Sequence, residues 1–215
     1  MKYKAVIFDM DGLLIDSERI ALDAFVEACR EHNFEPDLNV YFQLIGGNSA
    51  TDDEVLIKGY GRDFPVQSVS ALWKAKFVST ISNRPVPLKP GALGLVRQLK
   101  KSGVKQAVVT STEREQAMKN LTSTHMLNYF DFVLCREDVQ HRKPDPEIFR
   151  LACRKFGEEP ADCLALEDSN NGVLSAHRAG LSVIQIPDLL EPTPEVRSLG
   201  HEIKKSLVDV RRMLG

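Results

Sequence analysis

Cysteine is scarce in this sequence, and its spacing excludes the sites that cysteine usually builds. Four cysteines occur among 215 residues, and no two of them form a C-x-x-C pair. Neither a cysteine-ligated zinc site nor a dithiol redox motif fits this spacing. We therefore expect reduced, buried thiols in a cytoplasmic protein, at Cys29, Cys135, Cys153 and Cys163.

An excess of charge of either sign is also missing. Lys and Arg number 28 and Asp and Glu number 30, so the formal net charge is −2. This balance disfavours a protein that coats nucleic acid or binds an anionic membrane surface. No apolar run approaches the roughly 18 residues of a membrane span. We predict a soluble protein with neither nucleic acid nor membrane as partner, and a monomer or weak homo-oligomer.

The sequence does contain a series of short apolar runs that end in polar residues. Its hydrophobic fraction of 43% is enough for a sizeable core. The runs are typical of buried parallel strands and lie at residues 5–8, 106–109, 132–134, 163–166 and 183–186. Helical patterns alternate with them and end at Gly103, Gly157 and Gly180. This alternation predicts an α/β fold with a doubly wound, mostly parallel sheet.

One segment interrupts the alternation. Residues 16–83 contain a predicted helix at 17–32 and further helical patterns but no apolar strand run, and a proline-rich stretch follows at 85–90. We predict a core domain of residues 1–15 and 84–215, with residues 16–83 inserted as a helical cap domain. A single domain with extra peripheral helices is the alternative.

Polar clusters follow four of the predicted strands. Residues 9–12 carry two aspartates, residues 110–112 carry three hydroxyls, Lys143 is a cation before a proline, and Glu167 precedes Asp168. In an open α/β sheet the carboxyl ends of neighbouring strands converge on one crevice, so these clusters are expected to meet. Carboxylates, hydroxyls and one cation suit Mg²⁺ and a phosphate group.

Each cluster by itself has a simpler interpretation. Residues 9–12 could form a turn or begin a calcium loop, although Ile20 occupies the loop position where calcium needs a bidentate Glu. Thr110 could cap a helix, Lys143 could be a solvated residue, and Glu167 with its neighbours could form another cap. Four such clusters at strand ends together favour a single site.

These motifs resemble a known family. They are the segment 8–18 (FDMDGLLIDSE), the segment 109–111 (VTS), the pair 143–144 (KP) and the segment 166–172 (LEDSNNG). The set is similar to the haloacid dehalogenase-like (HAD) hydrolase superfamily, and more narrowly to its β-phosphoglucomutase and phosphosugar phosphatase subgroup. The resemblance covers essentially the whole chain and implies a Rossmann-like core with a helical cap over the site.

The resemblance implies a catalytic role for several motif residues. Asp9 would be the nucleophile that forms an aspartyl-phosphate, and Asp11 would be the general acid and then the general base. Thr110 would hold the transferring phosphoryl group, helped by the backbone of Ser111 at a helix start. Lys143 would balance the charge between nucleophile and phosphate.

The implied cofactor is Mg²⁺. Its ligands would be Asp9, the backbone carbonyl of Asp11, Asp168 and, directly or through water, Glu167. Displacement of a halide would need neither these metal ligands nor an acid at position 11. The resemblance therefore implies phosphoryl transfer.

The sequence departs from the mutase pattern in the predicted cap. Ile20 and Ala21 stand where β-phosphoglucomutase carries a cap His, and residues 46–49 lack the Arg that binds a second phosphate. We expect Gly47 and Asn48 in this polar loop to meet substrate hydroxyls. Trp73 either packs inside the cap or faces the substrate.

We therefore predict Mg²⁺-dependent hydrolysis of a small phosphorylated metabolite, with a sugar phosphate as the expected substrate. One alternative is a phosphomutase of the β-phosphoglucomutase type, which returns the phosphoryl group to sugar. The other is a regulatory module that binds phosphate without turnover.

Overall fold

The computed structural model describes residues 2–45 and 49–215, with the backbone alone at 49–51. The chain divides into two compact units, one of Met1–Asp16 with Val86–Gly215 and one of Ser17–Pro85. The second unit begins one residue later, and ends two residues later, than the insertion predicted at 16–83. Among the described helices, none has the length and apolar character needed to cross a membrane.

The described elements alternate in the larger unit and are all helical in the smaller one. The helices of the smaller unit are α1 (Ser17–Glu31), α2 (Leu38–Leu44), α3 (Ser49–Tyr60) and α4 (Val66–Asn83). The strands are β1 (Ala5–Phe8), β2 (Lys105–Val109), β3 (Phe132–Leu134), β4 (Cys163–Glu167), β5 (Ser182–Gln185) and β6 (Glu202–Ile203). The helices of the larger unit are α5 (Ala92–Lys101), α6 (Arg114–Ser123), α7 (Glu147–Phe156), α8 (Asn170–Arg178), α9 (Pro194–Arg197) and α10 (Leu207–Leu214).

Within the described residues the strands form one six-stranded sheet of order β3-β2-β1-β4-β5-β6. Every neighbouring pair is parallel. The order reverses between β1 and β4, as in doubly wound folds that bind ligands at this switch point. The predicted α/β fold with a doubly wound sheet is confirmed.

The sheet is buried on both faces, which explains why its strands appear in the sequence as unbroken apolar runs. Ile7 pairs in register with Ala107 and Ala165, and all three join the core that α7 and α8 cover. Side chains of the opposite parity, such as Val6 and Leu164, are fully buried as well. Layers on both faces leave the strand ends as the place where polar groups can gather.

The smaller unit has an aromatic core of its own. The ring of Phe25 lies 5.1 Å from Tyr41 and 5.3 Å from Trp73, centroid to centroid. The indole Nε1 of Trp73 donates a hydrogen bond of 2.8 Å to the carbonyl of Ala21. Because both the ring and its polar atom are engaged inside this unit, Trp73 is a packing residue.

The sequence patterns do not predict β6, α9 and α10. Strand β6 has only two residues, both exposed, so no apolar run marks it. Helix α9 is four residues long and α10 is eight, too short for a periodic pattern to stand out. These elements follow β5 and extend the unit beyond the predicted strand and helix pairs.

Gly91, which precedes α5, supplies a test of the packing. Its φ is 91°, and a Cβ there would lie 2.5 Å from the backbone nitrogen of Val208. Gly103 has a φ of 71° with no atom within 4 Å of such a Cβ. We expect Gly103→Ala to cost about 1–2 kcal/mol, the strain of a left-handed residue. Gly91→Ala should cost at least about 1 kcal/mol more, because backbone must move. Urea unfolding measures both; equal losses would contradict the packing around Gly91.

Candidate active site

Three of the four polar clusters named from the sequence lie in the larger unit at the carboxyl ends of β1, β2 and β4. The fourth, Lys143, was predicted to follow a strand but lies in the segment before α7, well past the end of β3 at Leu134. Phe8 at the end of β1 pairs in register with Leu166 of β4, so the residues that follow them, Asp9 and Glu167, are neighbours. The backbone N–H of Asp9 donates to the carbonyl of Leu166 at 3.0 Å. The site therefore sits at the switch point of the sheet.

Lys143 joins the two strands through its ammonium group. Its Nζ lies 2.5 Å from Asp9 Oδ1, 2.5 Å from Glu167 Oε1 and 3.3 Å from the carbonyl oxygen of Val109. An ammonium has three N–H donors, and these three acceptors match them in number. The exposed fractions of the Lys143, Asp9 and Glu167 side chains are only 6%, 11% and 0%.

The segment that carries Lys143 is held by contacts to α8. The hydroxyl of Ser175 donates to the carbonyl of Asp145 at 2.5 Å, and Arg178 donates to the carbonyl of Pro144 at 3.0 Å. The ammonium also lies 5.3 Å from the centre of the Phe149 ring in α7. The cation is thus fixed by packing as well as by charge.

The residues after β4 explain the spacing of the motif at 167–172. Glu167 Oε2 accepts a hydrogen bond of 3.1 Å from the hydroxyl of Ser169, which itself caps α8 by accepting from the N–H of Gly172 at 3.0 Å. A Cβ at Gly172 would lie 2.0 Å from the Glu167 carboxyl group. Ser169 therefore supplies a hydrogen-bond donor to the Glu167 carboxylate, and Gly172 leaves space for it.

Asp9, Glu167 and Asp168, called here the acidic cluster, each offer a carboxylate oxygen within 4.8 Å of the others. Gly12 has a φ of 76°, and a Cβ there would lie 2.3 Å from Asp168 Oδ2. The glycine thus lets the loop after β1 approach Asp168 closely. All donors are hard oxygen atoms, which suit Mg²⁺.

The charges around Asp9 also suit a divalent cation at the acidic cluster. Burial raises the pKa of Asp9 well above its ordinary value; the nearby charge of Lys143 lowers it, while those of Glu167 and Asp11 raise it further. Burial also lowers the pKa of Lys143, but the two carboxylates outweigh this and raise it above its usual value. One ammonium thus faces several carboxylates, and a divalent cation would offset the excess negative charge.

A second group of possible ligands, His141, Asp145 and Glu147, lies closer to the surface. Glu147 accepts hydrogen bonds from the backbone N–H of His141 at 2.8 Å and of Gln140 at 3.1 Å. Asp145 accepts from the N–H of Glu147 at 2.9 Å. These carboxylates hold the turn before α7, so the acidic cluster is the better metal site.

Asp11 lies beside the hydroxyls that follow β2. Its Oδ2 accepts hydrogen bonds from Thr112 Oγ1 at 2.6 Å and from Thr110 Oγ1 at 3.2 Å. We predicted a role for Thr110 but none for Thr112. The signal was available, since three hydroxyl residues follow β2 in succession and Thr112 is one of them.

The prediction that Ser111 lies at a helix start is wrong. Helix α6 begins at Arg114, with Glu113 as its N-cap residue, and the side chain of Ser111 is exposed. The N–H of Arg114 donates to the carboxylate of Glu137 at 2.9 Å, so the first turn is capped by a distant side chain. Gly47 and Asn48, predicted to contact the substrate, lie outside the described residues.

Asp188 is a buried carboxylate near the loop after β1 that the sequence analysis missed. Its side chain is 3% exposed, and its Oδ1 accepts a hydrogen bond of 2.6 Å from Lys89. Its Oδ2 lies 3.5 Å from where a Cβ of Gly12 would be. The residue follows β5, so the rule that polar groups gather at strand ends could have found it.

The sequence matches the haloacid dehalogenase-like hydrolase family over residues 6–186. It is 31% identical over 215 residues to validoxylamine A 7'-phosphate phosphatase of Streptomyces hygroscopicus subsp. limoneus, covering 97% of this chain and 96% of that protein. The chain belongs to the haloacid dehalogenase-like hydrolase family. The family predicted from the motifs is confirmed, and so is a phosphatase as the type of enzyme.

Solved structures share the fold of this HAD-like hydrolase. A HAD family hydrolase from Deinococcus radiodurans R1, with bound phosphate and sodium, has a TM-score of 0.85 at 23% identity, covering 99% of this chain and 95% of that chain. β-Phosphoglucomutase from Clostridium difficile has a TM-score of 0.73 at 19% identity, covering 97% and 93%. Hydrolase and mutase thus share one fold, and the fold alone does not choose between them.

The fit of the acidic cluster to a divalent cation predicts a measurable stabilisation. We expect millimolar Mg²⁺ to raise the Tm of this HAD-like hydrolase by several degrees, since about 1 kcal/mol of binding shifts a domain of this size by about 2–4 °C. Asp168→Asn should remove most of the shift. Asp145→Asn, in the second group, should keep it; the reverse pattern would place the metal at the second group.

The raised pKa of Asp9 predicts how stability depends on pH without metal. The native state binds this proton more tightly than the unfolded chain does, so the contribution to stability is present at acid pH and lost as pH rises through the folded-state pKa. In EDTA, Asp9→Asn should exceed the wild type in free energy of unfolding at pH 8, and less so toward pH 5. Urea unfolding of both proteins across this pH range measures the difference in free energy of unfolding. A wild type that is more stable than Asp9→Asn, by a margin that grows with pH, would refute the prediction.

Proposed function

We propose that this protein is a Mg²⁺-dependent phosphatase that hydrolyses the phosphate monoester of a small metabolite through an aspartyl-phosphate on Asp9. The observation that carries the proposal is the buried carboxylate of Asp9, held 2.5 Å from the ammonium of Lys143 beside Glu167. A carboxylate can act as a nucleophile toward phosphorus. The relative named as a phosphatase, which aligns over almost the whole chain, supports this assignment.

The first chemical step transfers the phosphoryl group to the enzyme. An oxygen of Asp9 forms a bond to phosphorus while the bond from phosphorus to the ester oxygen breaks. Asp11 gives its proton to that oxygen, so the alcohol leaves neutral. Lys143, between Asp9 and Glu167, offsets the repulsion between the nucleophile and the phosphate dianion.

The second step releases the phosphate. Asp11, now a carboxylate, removes a proton from water as the water oxygen bonds to phosphorus, and the bond to Asp9 breaks. Inorganic phosphate leaves and Asp11 is protonated again, so the cycle closes. The acidic cluster would hold Mg²⁺, which would supply positive charge to stabilise the transferring phosphoryl group.

Hydrolysis fits this chain better than the two alternatives. Ile20 and Ala21 replace the cap His of the mutase pattern, and no Arg lies within residues 46–49 to hold a second phosphate. A binding module would not need an acid, yet Asp11 is held by two hydroxyls next to Asp9. The proposed substrate class is a polyhydroxylated phosphate ester. That residues 16–83 act as a cap stays a prediction.

A panel of phosphorylated sugars and polyols, with Mg²⁺ and detection of released phosphate, tests the proposal. We expect turnover of at least one ester and a loss of at least about 10³-fold in kcat for Asp9→Asn, because the covalent route is removed. Asp209→Asn, on α10, should keep wild-type turnover. Undiminished turnover by Asp9→Asn would refute the proposal, and ³¹P NMR showing transfer to a second sugar hydroxyl would identify a mutase.

A further inference from the structure

Two threonine hydroxyls converge on one oxygen of Asp11. Thr112 Oγ1 lies 2.6 Å from Asp11 Oδ2 and Thr110 Oγ1 lies 3.2 Å from it, and the shorter bond comes from the residue without an assigned role. Thr110 is buried, with 1% of its surface exposed, whereas Thr112 is half-buried. Both hydroxyls reach Asp11 from the segment after β2.

Thr110 has a second partner in this arrangement. Its hydroxyl oxygen accepts the backbone N–H of Thr112 at 3.0 Å while its single proton points to Asp11. A phosphoryl oxygen can only accept, and a hydroxyl has one proton to donate. When Thr110 turns to the phosphoryl group, as the proposed function requires, its bond to Asp11 is lost.

We propose that Thr112 is a positioning residue that keeps Asp11 oriented while the hydroxyl of Thr110 binds the phosphoryl group. The proposal rests on the proposed function of this site. A donor held at Oδ2 leaves Oδ1 as the oxygen that carries the proton of the acid form. Thr112 thereby fixes which oxygen of Asp11 gives a proton to the leaving alcohol and which way the planar carboxyl group is turned.

This role predicts a dependence on the leaving group. An alkyl ester needs a proton as the bond between phosphorus and the ester oxygen breaks, whereas p-nitrophenolate leaves without one. The ratio kcat/KM includes only the steps through this first transfer, so the later use of Asp11 as a base does not enter it. A change in the position of Asp11 therefore affects kcat/KM for alkyl esters selectively.

The test compares Thr112→Val, which keeps the shape and removes the hydroxyl, with Thr112→Ser, which keeps the hydroxyl. For an alkyl phosphate turned over by the wild type, we expect Thr112→Val to lose about 30-fold in kcat/KM, part of the roughly 10²–10⁴ that acid catalysis supplies. For p-nitrophenyl phosphate the loss should stay within about 3-fold. Thr112→Ser should have the wild-type kcat/KM on both esters. Thr122 is an exposed threonine of α6, so the control Thr122→Val should also match the wild type.

Each outcome decides the proposal. Equal losses of Thr112→Val on the two esters would indicate a structural role and overturn it, as would no loss on either. A wild type that turns over no ester of the panel of phosphorylated sugars and polyols would overturn the proposed function and this inference with it. Thr112→Ala serves as the second variant if Thr112→Val does not reach the wild-type Tm.

Discussion

The rest of this structure depends on one buried ion contact, that of Lys143 with Asp9 and Glu167. Charges taken out of water are costly unless they are paired and hydrogen-bonded, and here each of the three is. The sheet makes the pairing possible, because Phe8 and Leu166 are neighbours in register and their successors therefore share one edge. The contact connects two strands to the segment before α7, and so it holds Asp9, the proposed nucleophile, beside Lys143 and the polar end of β4.

Although Asp9 and Glu167 are both paired with Lys143, the negative charge of the acidic cluster exceeds the positive charge of that one ammonium. One ammonium does not neutralise the acidic cluster, so the site suits a divalent cation, which would in turn favour the anionic oxygens of the proposed phosphate ester. The net charge of −2 gives the protein no general attraction for anions. For the proposed phosphate substrate, affinity would have to arise locally, from a bound cation, from Lys143 and from hydroxyls such as that of Thr110.

The sequence is most informative where physical demands repeat along the chain. Strands buried on both faces need unbroken apolar runs, so four predicted strands match β1, β2, β3 and β4 within one residue at each end, and the prediction 183–186 is shifted by one from β5. Contacts between side chains about a hundred positions apart leave no such pattern. The bond of Thr112 to Asp11 joins residues 101 positions apart, so no local pattern marks it. The helix start predicted at Ser111 is wrong because α6 begins only at Arg114. Asp188 was not predicted, because a single polar residue after a strand is also what an ordinary loop contains.

The central claim is that phosphoryl transfer passes through Asp9, and trapping the intermediate tests it most directly. The enzyme is quenched with acid during steady-state turnover of an alkyl phosphate, reduced with borohydride, digested and sequenced by mass spectrometry. Reduction converts an aspartyl-phosphate to homoserine, so the account predicts homoserine at position 9 and at no other aspartate. Homoserine at another position, or an unmodified Asp9 in an enzyme whose Asp9→Asn variant still releases phosphate at the wild-type rate, would contradict it.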